Sequence, residues 1–166
     1  MRALGIDPGS RLTGWGVVES AGQGFRHLDS GTIVLRPTES LGARLARLHA
    51  ECLRLCDAWT PAAVVLERNF VARNVQSAFR IGEARGAVMA AVAAAGIPLH
   101  EYAPASVKLA AVGHGGADKE TVGRGVTARL QLTVRPGVDA ADALALALCF
   151  LQQAPLTAAL GRAGRR

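Results

Sequence analysis

Residues 62–67, AAVVLE, stay apolar through five positions without alternating and then stop on an acid. A strand with one face in water alternates polar and apolar side chains, whereas a strand covered on both faces does not. The stretch therefore predicts a buried strand of a partly parallel sheet. Upstream, residues 2–7 (RALGID) form a second short apolar strand that also ends on an acid, and residues 13–20 (TGWGVVES) and 25–34 (FRHLDSGTIV) read as two more strands joined by the turn-forming AGQG. Between this meander and the buried strand, residues 39–58 place Leu41, Leu45, Leu48, Cys52 and Leu55 at spacings of three and four, one face of an amphipathic helix, before Pro61 restarts the chain.

Downstream, residues 74–95 form an Ala-rich helix closed by Gly96, and residues 97–102 (IPLHEY) a fifth strand. Two shorter helices follow near 104–112 and 117–131. The last, from about Asp139 to Gln153, is apolar nearly all round and is expected to be buried. The element order predicts an α/β domain, a five-stranded mixed sheet flanked by helices, over residues 1–155. Residues 156–166 read as a basic tail, flexible at its GRAGRR end.

A chain of 166 residues can bury a core without disulfides, and with 50% hydrophobic but only 4% aromatic residues that core must be built from Ala, Val, Leu and Ile. The formal charge of +6 favours a polyanionic partner, nucleic acid first, although Arg162, Arg165 and Arg166 supply part of it. Cys52, Cys56 and Cys149 form no CxxC framework and read as small buried hydrophobes in a reducing compartment. No segment has the apolar length of a signal or a membrane span, so a cytoplasmic protein with no membrane partner is expected.

Asp7 ends its strand inside GIDPGSRLTG, where Pro8 and Gly9 force a turn; an Asp there is as often a turn cap as a functional group. Glu67, taken alone, reads as a strand emerging into solvent. Parallel neighbouring strands, however, would set Asp7 and Glu67 side by side at the carboxyl end of the sheet, where open α/β sheets bind ligands. Asp139 and Asp142 are three apart at a helix start, a position that favours their ionised forms, and either would serve as an ordinary N-cap. If that helix packs beside the first strand, four carboxylates converge into an oxygen-rich site suited to Mg²⁺ or Mn²⁺. Two such ions roughly 4 Å apart would activate water for in-line attack on phosphorus. No Ser/His/Asp arrangement or GxxxxGKS loop competes with that chemistry, and the histidines at 27, 49, 100 and 114 have no metal-ligand spacing.

The blocks GIDPGSRLTGWGVV, LERNFVARNVQSAFRIGEARG, EYAPASVKLAAVGHGGADKETV and VDAADALALAL together resemble the RuvC family of Holliday-junction resolvases, in the family's order and across residues 3 to about 150. The resemblance implies a ribonuclease-H-like fold and a homodimer that makes paired nicks in four-way junction DNA. It also implies cooperation with the branch-migration proteins RuvA and RuvB. The family's catalytic, metal-binding acids correspond to Asp7, Glu67, Asp139 and Asp142. Lys108 and Lys119 match basic residues near the active site and the DNA, and they flank the glycine-rich segment at 113–116. Phe70 looks like the family's base-stacking aromatic; its polar neighbours Arg68, Asn69, Arg73 and Asn74 favour an exposed ring over a core one. Arg73, Arg80 and Arg85 would track phosphates.

Two other readings compete. One is a non-catalytic relative of the same fold that binds branched nucleic acid without cutting it, which the intact tetrad argues against. An ATP-binding domain of the actin and sugar-kinase type has a phosphate loop like GIDPGSRLTG, but needs two such domains and leaves the basic charge unexplained.

Overall fold

The structure, a computed structural model, describes residues 1–68 and 75–163, with side chains through residue 154. Its elements are β1 (Arg2–Asp7), β2 (Leu12–Ala21), β3 (Gly24–Val34), α1 (Leu41–Trp59), β4 (Ala63–Glu67), α2 (Val75–Ala94), β5 (Leu99–Tyr102), α3 (Pro104–Val112), α4 (Lys119–Arg129) and α5 (Val138–Ala163). The five strands form one sheet in the order β3-β2-β1-β4-β5. β1 runs antiparallel to β2 and parallel to β4, and β4 runs parallel to β5. This is the mixed sheet that the unalternating AAVVLE run predicts.

Both faces of the sheet are covered. Successive strand side chains point to opposite faces, and the buried residues sort accordingly. Ala3, Ala63 and Val65 pack with α3, α4 and α5. Leu4, Ile6, Val64 and Leu66 pack with α1 and α2 on the other side. The amphipathic stripe of α1 buries Leu48, Cys52, Leu55 and also Cys56, while Leu41, at the first helical position, stays exposed. All three cysteines are buried and free.

Helix boundaries follow local chemistry. Ser40 and Asp118 cap α1 and α4 by accepting from the N–H groups of Ala43 and Thr121, and Pro104 opens α3, where a missing N–H costs nothing. Only α5 departs clearly from expectation. It continues to Ala163, ten residues past Gln153 and into the stretch read as tail, running through Pro155, a residue that ordinarily kinks or ends a helix. Among the described residues no helix is long and apolar enough to cross a membrane.

Helix α5 lies directly on β1 and β2 because the strand residues beneath it lack side chains. Gly5 pairs with Gly16 and Asp7 with Gly14 across the two strands. A Cβ on Gly5 would collide with the backbone carbonyl of Ala143, one on Gly14 with the backbone of Asp139, and one on Gly16 with the Leu144 side chain. Backbone cannot yield as a side-chain tip can, so Gly5→Ala is expected to destabilise the fold by about 3 kcal/mol, the upper range for overpacking. Denaturant unfolding with an unchanged slope would measure this; a loss under about 0.5 kcal/mol would mean the helix slides freely on the sheet.

Candidate active site

The sheet geometry brings Asp7 and Glu67 together. Gly5 of β1 pairs with Val65 of β4 in parallel register, so the residues two further along, Asp7 and Glu67, are level with each other at the strand ends. Asp7 has the parity of Ala3 and Glu67 that of Val65, so both carboxylates face the layer of α3, α4 and α5. Beyond Asp7 the turn closes on Thr13, which is wholly buried and whose hydroxyl lies 3.4 Å from the Gly9 N–H and 3.5 Å from its carbonyl.

The same glycine seam delivers the other two acids. Asp139 lies in the first turn of α5, its backbone against Gly14, and Asp142 follows one turn later. Asp7, Glu67 and Asp142 line a single cleft of about 380 Å³ together with Pro8, Lys108 and Lys119, walled on its apolar side by Val107, Val122 and Leu146. Asp139 does not line this cleft, but its charge reaches Asp7.

Electrostatics match this crowding. Burial, then the charges of Asp142 and Glu67, push the Asp7 carboxyl up to about 7, with Asp139 adding and Lys119 opposing. Glu67 is raised too, first by burial and then by Asp142, against the pull of Lys119, Lys108 and Arg85. Lys119 donates to Asp142 Oδ2 at 2.9 Å, and that bond holds its ammonium above its ordinary range. Carboxylates gathered in a partly dry cleft at the cost of their own ionisation need a cation.

The donors are all hard oxygens, which suits Mg²⁺ or Mn²⁺ better than zinc. Among the described residues no three His, Cys, Asp or Glu side chains are drawn together as a ready ligand set. Asp142 pairs with the Lys119 ammonium. The residues fit a divalent ion in donor type, and Asp7, Glu67 and Asp142 share one cleft.

Of the other candidates, Lys108 and Lys119 reach the cleft as expected. Phe70 and Arg73 lie outside the described residues. Arg80 is exposed on α2. Arg85, expected to track phosphates, instead points inward: Nη1 donates to the Glu67 carbonyl at 2.6 Å and the guanidinium pairs with Glu101. No spacing signal could have found this contact, because its partners sit on β4, α2 and β5.

The sequence profile described as crossover junction endodeoxyribonuclease RuvC matches residues 3–150. The chain belongs to the RuvC family. It is 49% identical over 163 residues to the RuvC of Alkalilimnicola ehrlichii, covering 98% of each chain. It is 45% identical over 166 residues to that of Rhodospirillum rubrum, covering 99% of this chain and 98% of the relative. Among solved structures it matches Thermus thermophilus RuvC in complex with Holliday junction substrate at 38% identity and a TM-score of 0.90, covering 95% and 96% of the two chains. The Thermus thermophilus RuvC structure itself matches at 38% identity and a TM-score of 0.86, covering 95% and 97%. The yeast mitochondrial Holliday junction resolvase Ydc2, at 16% identity and a TM-score of 0.69, shares the fold, covering 93% of this chain and 80% of its own. The five-stranded mixed sheet with its helices is thus the ribonuclease-H-like fold of RuvC proteins, and the RuvC relatives are named crossover junction endodeoxyribonucleases.

Proposed function

We propose that this RuvC-family chain resolves Holliday junctions by cutting DNA in the acidic cleft, with Asp7, Glu67, Asp139 and Asp142 as catalytic acids and metal ligands. The observation that carries this reading is the convergence of Asp7, Glu67 and Asp142, from three distant chain segments, on one cleft that also holds two lysines. The Thermus thermophilus RuvC that matches so closely is itself seen with junction substrate. Mg²⁺ or Mn²⁺, two per site, would be held by the four acids; when bound, the ions supply an activated water and stabilise the leaving oxygen. The chain's own groups do the rest. Lys119 and Lys108 face the phosphate and neutralise its charge, and Val107, Val122 and Leu146 exclude bulk water on the far side. A divalent cation held there would favour the ionised form of the Asp7 carboxyl, which burial and its acidic neighbours oppose.

Phe70 would stack on a base at the junction centre and Arg73 would hold a phosphate. The proposal includes one nuclease domain over residues 1–155, a cytoplasmic setting, cooperation with RuvA and RuvB, and a homodimer whose two-fold symmetry matches that of an open junction. Helix α2 supports the dimer: Phe79 is 68% and Met89 39% exposed, and Gly82 and Gly86 have open space above them.

The deciding experiment incubates the protein with a synthetic four-way junction and with linear duplexes of the same arms. Paired, symmetric nicks in the junction alone are expected. Equal nicking of linear duplex would overturn junction selectivity, and tight binding without cutting would leave only a branched-DNA-binding module. In the same assay Lys119→Met is expected to slow single-turnover cutting about a hundredfold, the scale for removing one charge-stabilising donor. Junction affinity should weaken by less than about tenfold. Cutting within about threefold of wild type would remove Lys119 from the chemistry.

A further inference from the structure

Glu67 is the last residue of β4, where the chain leaves the sheet. The Arg68 N–H closes the ladder onto the Tyr102 carbonyl at 2.7 Å, which holds the Glu67–Arg68 peptide by its N–H side and leaves its carbonyl to a side-chain partner. A side chain at such an end inherits the freedom of the peptide that carries it. Arg85 holds that peptide from its other side, at the carbonyl. From the middle of α2 its Nη1 donates to the Glu67 carbonyl at 2.6 Å, while Nη2 pairs with Glu101 on β5. Its side chain is only 19% exposed; burial works against its charge, and the charge of Glu67 helps to hold it. A planar guanidinium meets two acceptors at a fixed angle, which an ammonium on a flexible stem does not.

We propose that Arg85 is the positioning residue of the site: by pinning the Glu67 peptide to α2 and β5 it aims the Glu67 carboxylate into the cleft and thereby sets how tightly the cleft holds a divalent cation. The proposal rests on the reading of Glu67 as a cation ligand. The competing role is purely structural, a tie between α2 and β5. Partners that orient metal ligands change metal affinity by about ten- to a hundredfold when removed, whereas a structural tie changes only stability.

The test titrates Mn²⁺ into DNA-free protein, followed by electron paramagnetic resonance, for wild type, Arg85→Met, Arg85→Lys, Glu101→Gln and Glu67→Gln, with melting temperatures and junction binding in EDTA alongside. Arg85→Met is expected to weaken Mn²⁺ binding about tenfold, with junction binding in EDTA within twofold of wild type. Arg85→Lys, which keeps the charge but not the fork, should fall between the two. Glu101→Gln removes the ion pair but keeps an oxygen acceptor for Arg85, so it should lower the melting temperature with Mn²⁺ affinity near wild type. Wild-type Mn²⁺ affinity in Arg85→Met, or losses in Arg85→Met and Glu101→Gln that simply follow their melting temperatures, overturns the proposal. If Arg85→Met does not fold, Arg85→Lys decides: wild-type affinity there overturns it equally. Glu67→Gln separates the two levels, since unchanged Mn²⁺ binding in that variant means that the reading of Glu67 as a ligand has failed, not the Arg85 contact.

Discussion

Asp7→Asn is expected to lower the single-turnover rate of junction cutting by at least about a thousandfold, at every Mg²⁺ and Mn²⁺ concentration, while junction binding in EDTA stays equal to wild type or tightens. An amide is nearly the size of the carboxylate it replaces, so the fold has no reason to change. What it lacks is the anionic oxygen. Charge stabilisation by a bound metal is worth several kcal/mol, and roughly 4 kcal/mol corresponds to a factor of about a thousand in rate. Asp7 is the right place to remove it, because it feels Asp142, Glu67, Lys119 and Asp139 together. Binding should not suffer, since the variant removes a negative charge from a cleft that must accept phosphate. A rate within tenfold of wild type would remove Asp7 from the chemistry; equal loss of binding and cutting would mean that the acid acts on DNA docking.

The same variant is expected to be the more stable protein in the absence of divalent cations at pH 8. The folded protein holds the Asp7 carboxyl at about 7 against an ordinary value of 3.8, so between those limits the folded state binds more protons than the unfolded one. Stability then falls as pH rises through this window. The contribution is fully present below about pH 4 and lost above about pH 7; Glu67, also raised, acts in the same direction. The shift corresponds to at most roughly 4 kcal/mol, and water entering the cleft reduces it to roughly 2 to 4. Asp7→Asn carries no such loss. In EDTA at pH 8 it should melt about 4 to 16 °C above wild type, with the gap closing towards pH 4. Saturating Mg²⁺ or Mn²⁺ should raise the wild type and leave the variant nearly unmoved. Parallel melting curves for the two proteins from pH 4 to pH 8 would show that Asp7 is not strained in the free site. Activity and stability thus oppose each other at one atom group, as expected where function needs a crowded charge.

How much of this could be read in the sequence differs from element to element. The two strands ending on acids were legible because a strand buried on both faces has an unmistakable pattern, and parallel pairing of β1 with β4 then forces Asp7 and Glu67 into one place. Asp139 and Asp142 were legible as acids at the head of an apolar helix, but not the inequality between them: Asp142 lines the cleft and Asp139 does not. Arg85 was misread. An arginine on a helix is most often solvated, and nothing local says that β5 supplies Glu101 to receive it. The glycines of β1 and β2 were equally silent, since in a strand pattern they register only as weak strand formers. The end of α5 was missed because Pro155 reads as a helix stop, whereas the helix continues through it to Ala163.

Those glycines have one further consequence. Most helices rest on a sheet through interlocking side chains, and rotamer changes there alter the spacing of the two layers by fractions of an ångström. Where Gly5 and Gly14 meet the backbone of Ala143 and Asp139, the seam contains no rotamers at all. The distance from the β1 acid to the helix acids is therefore set by peptide against peptide, the stiffest gauge a protein can build. Heating, or repacking of leucines elsewhere in the core, would loosen the rest of the molecule before it detuned the cleft.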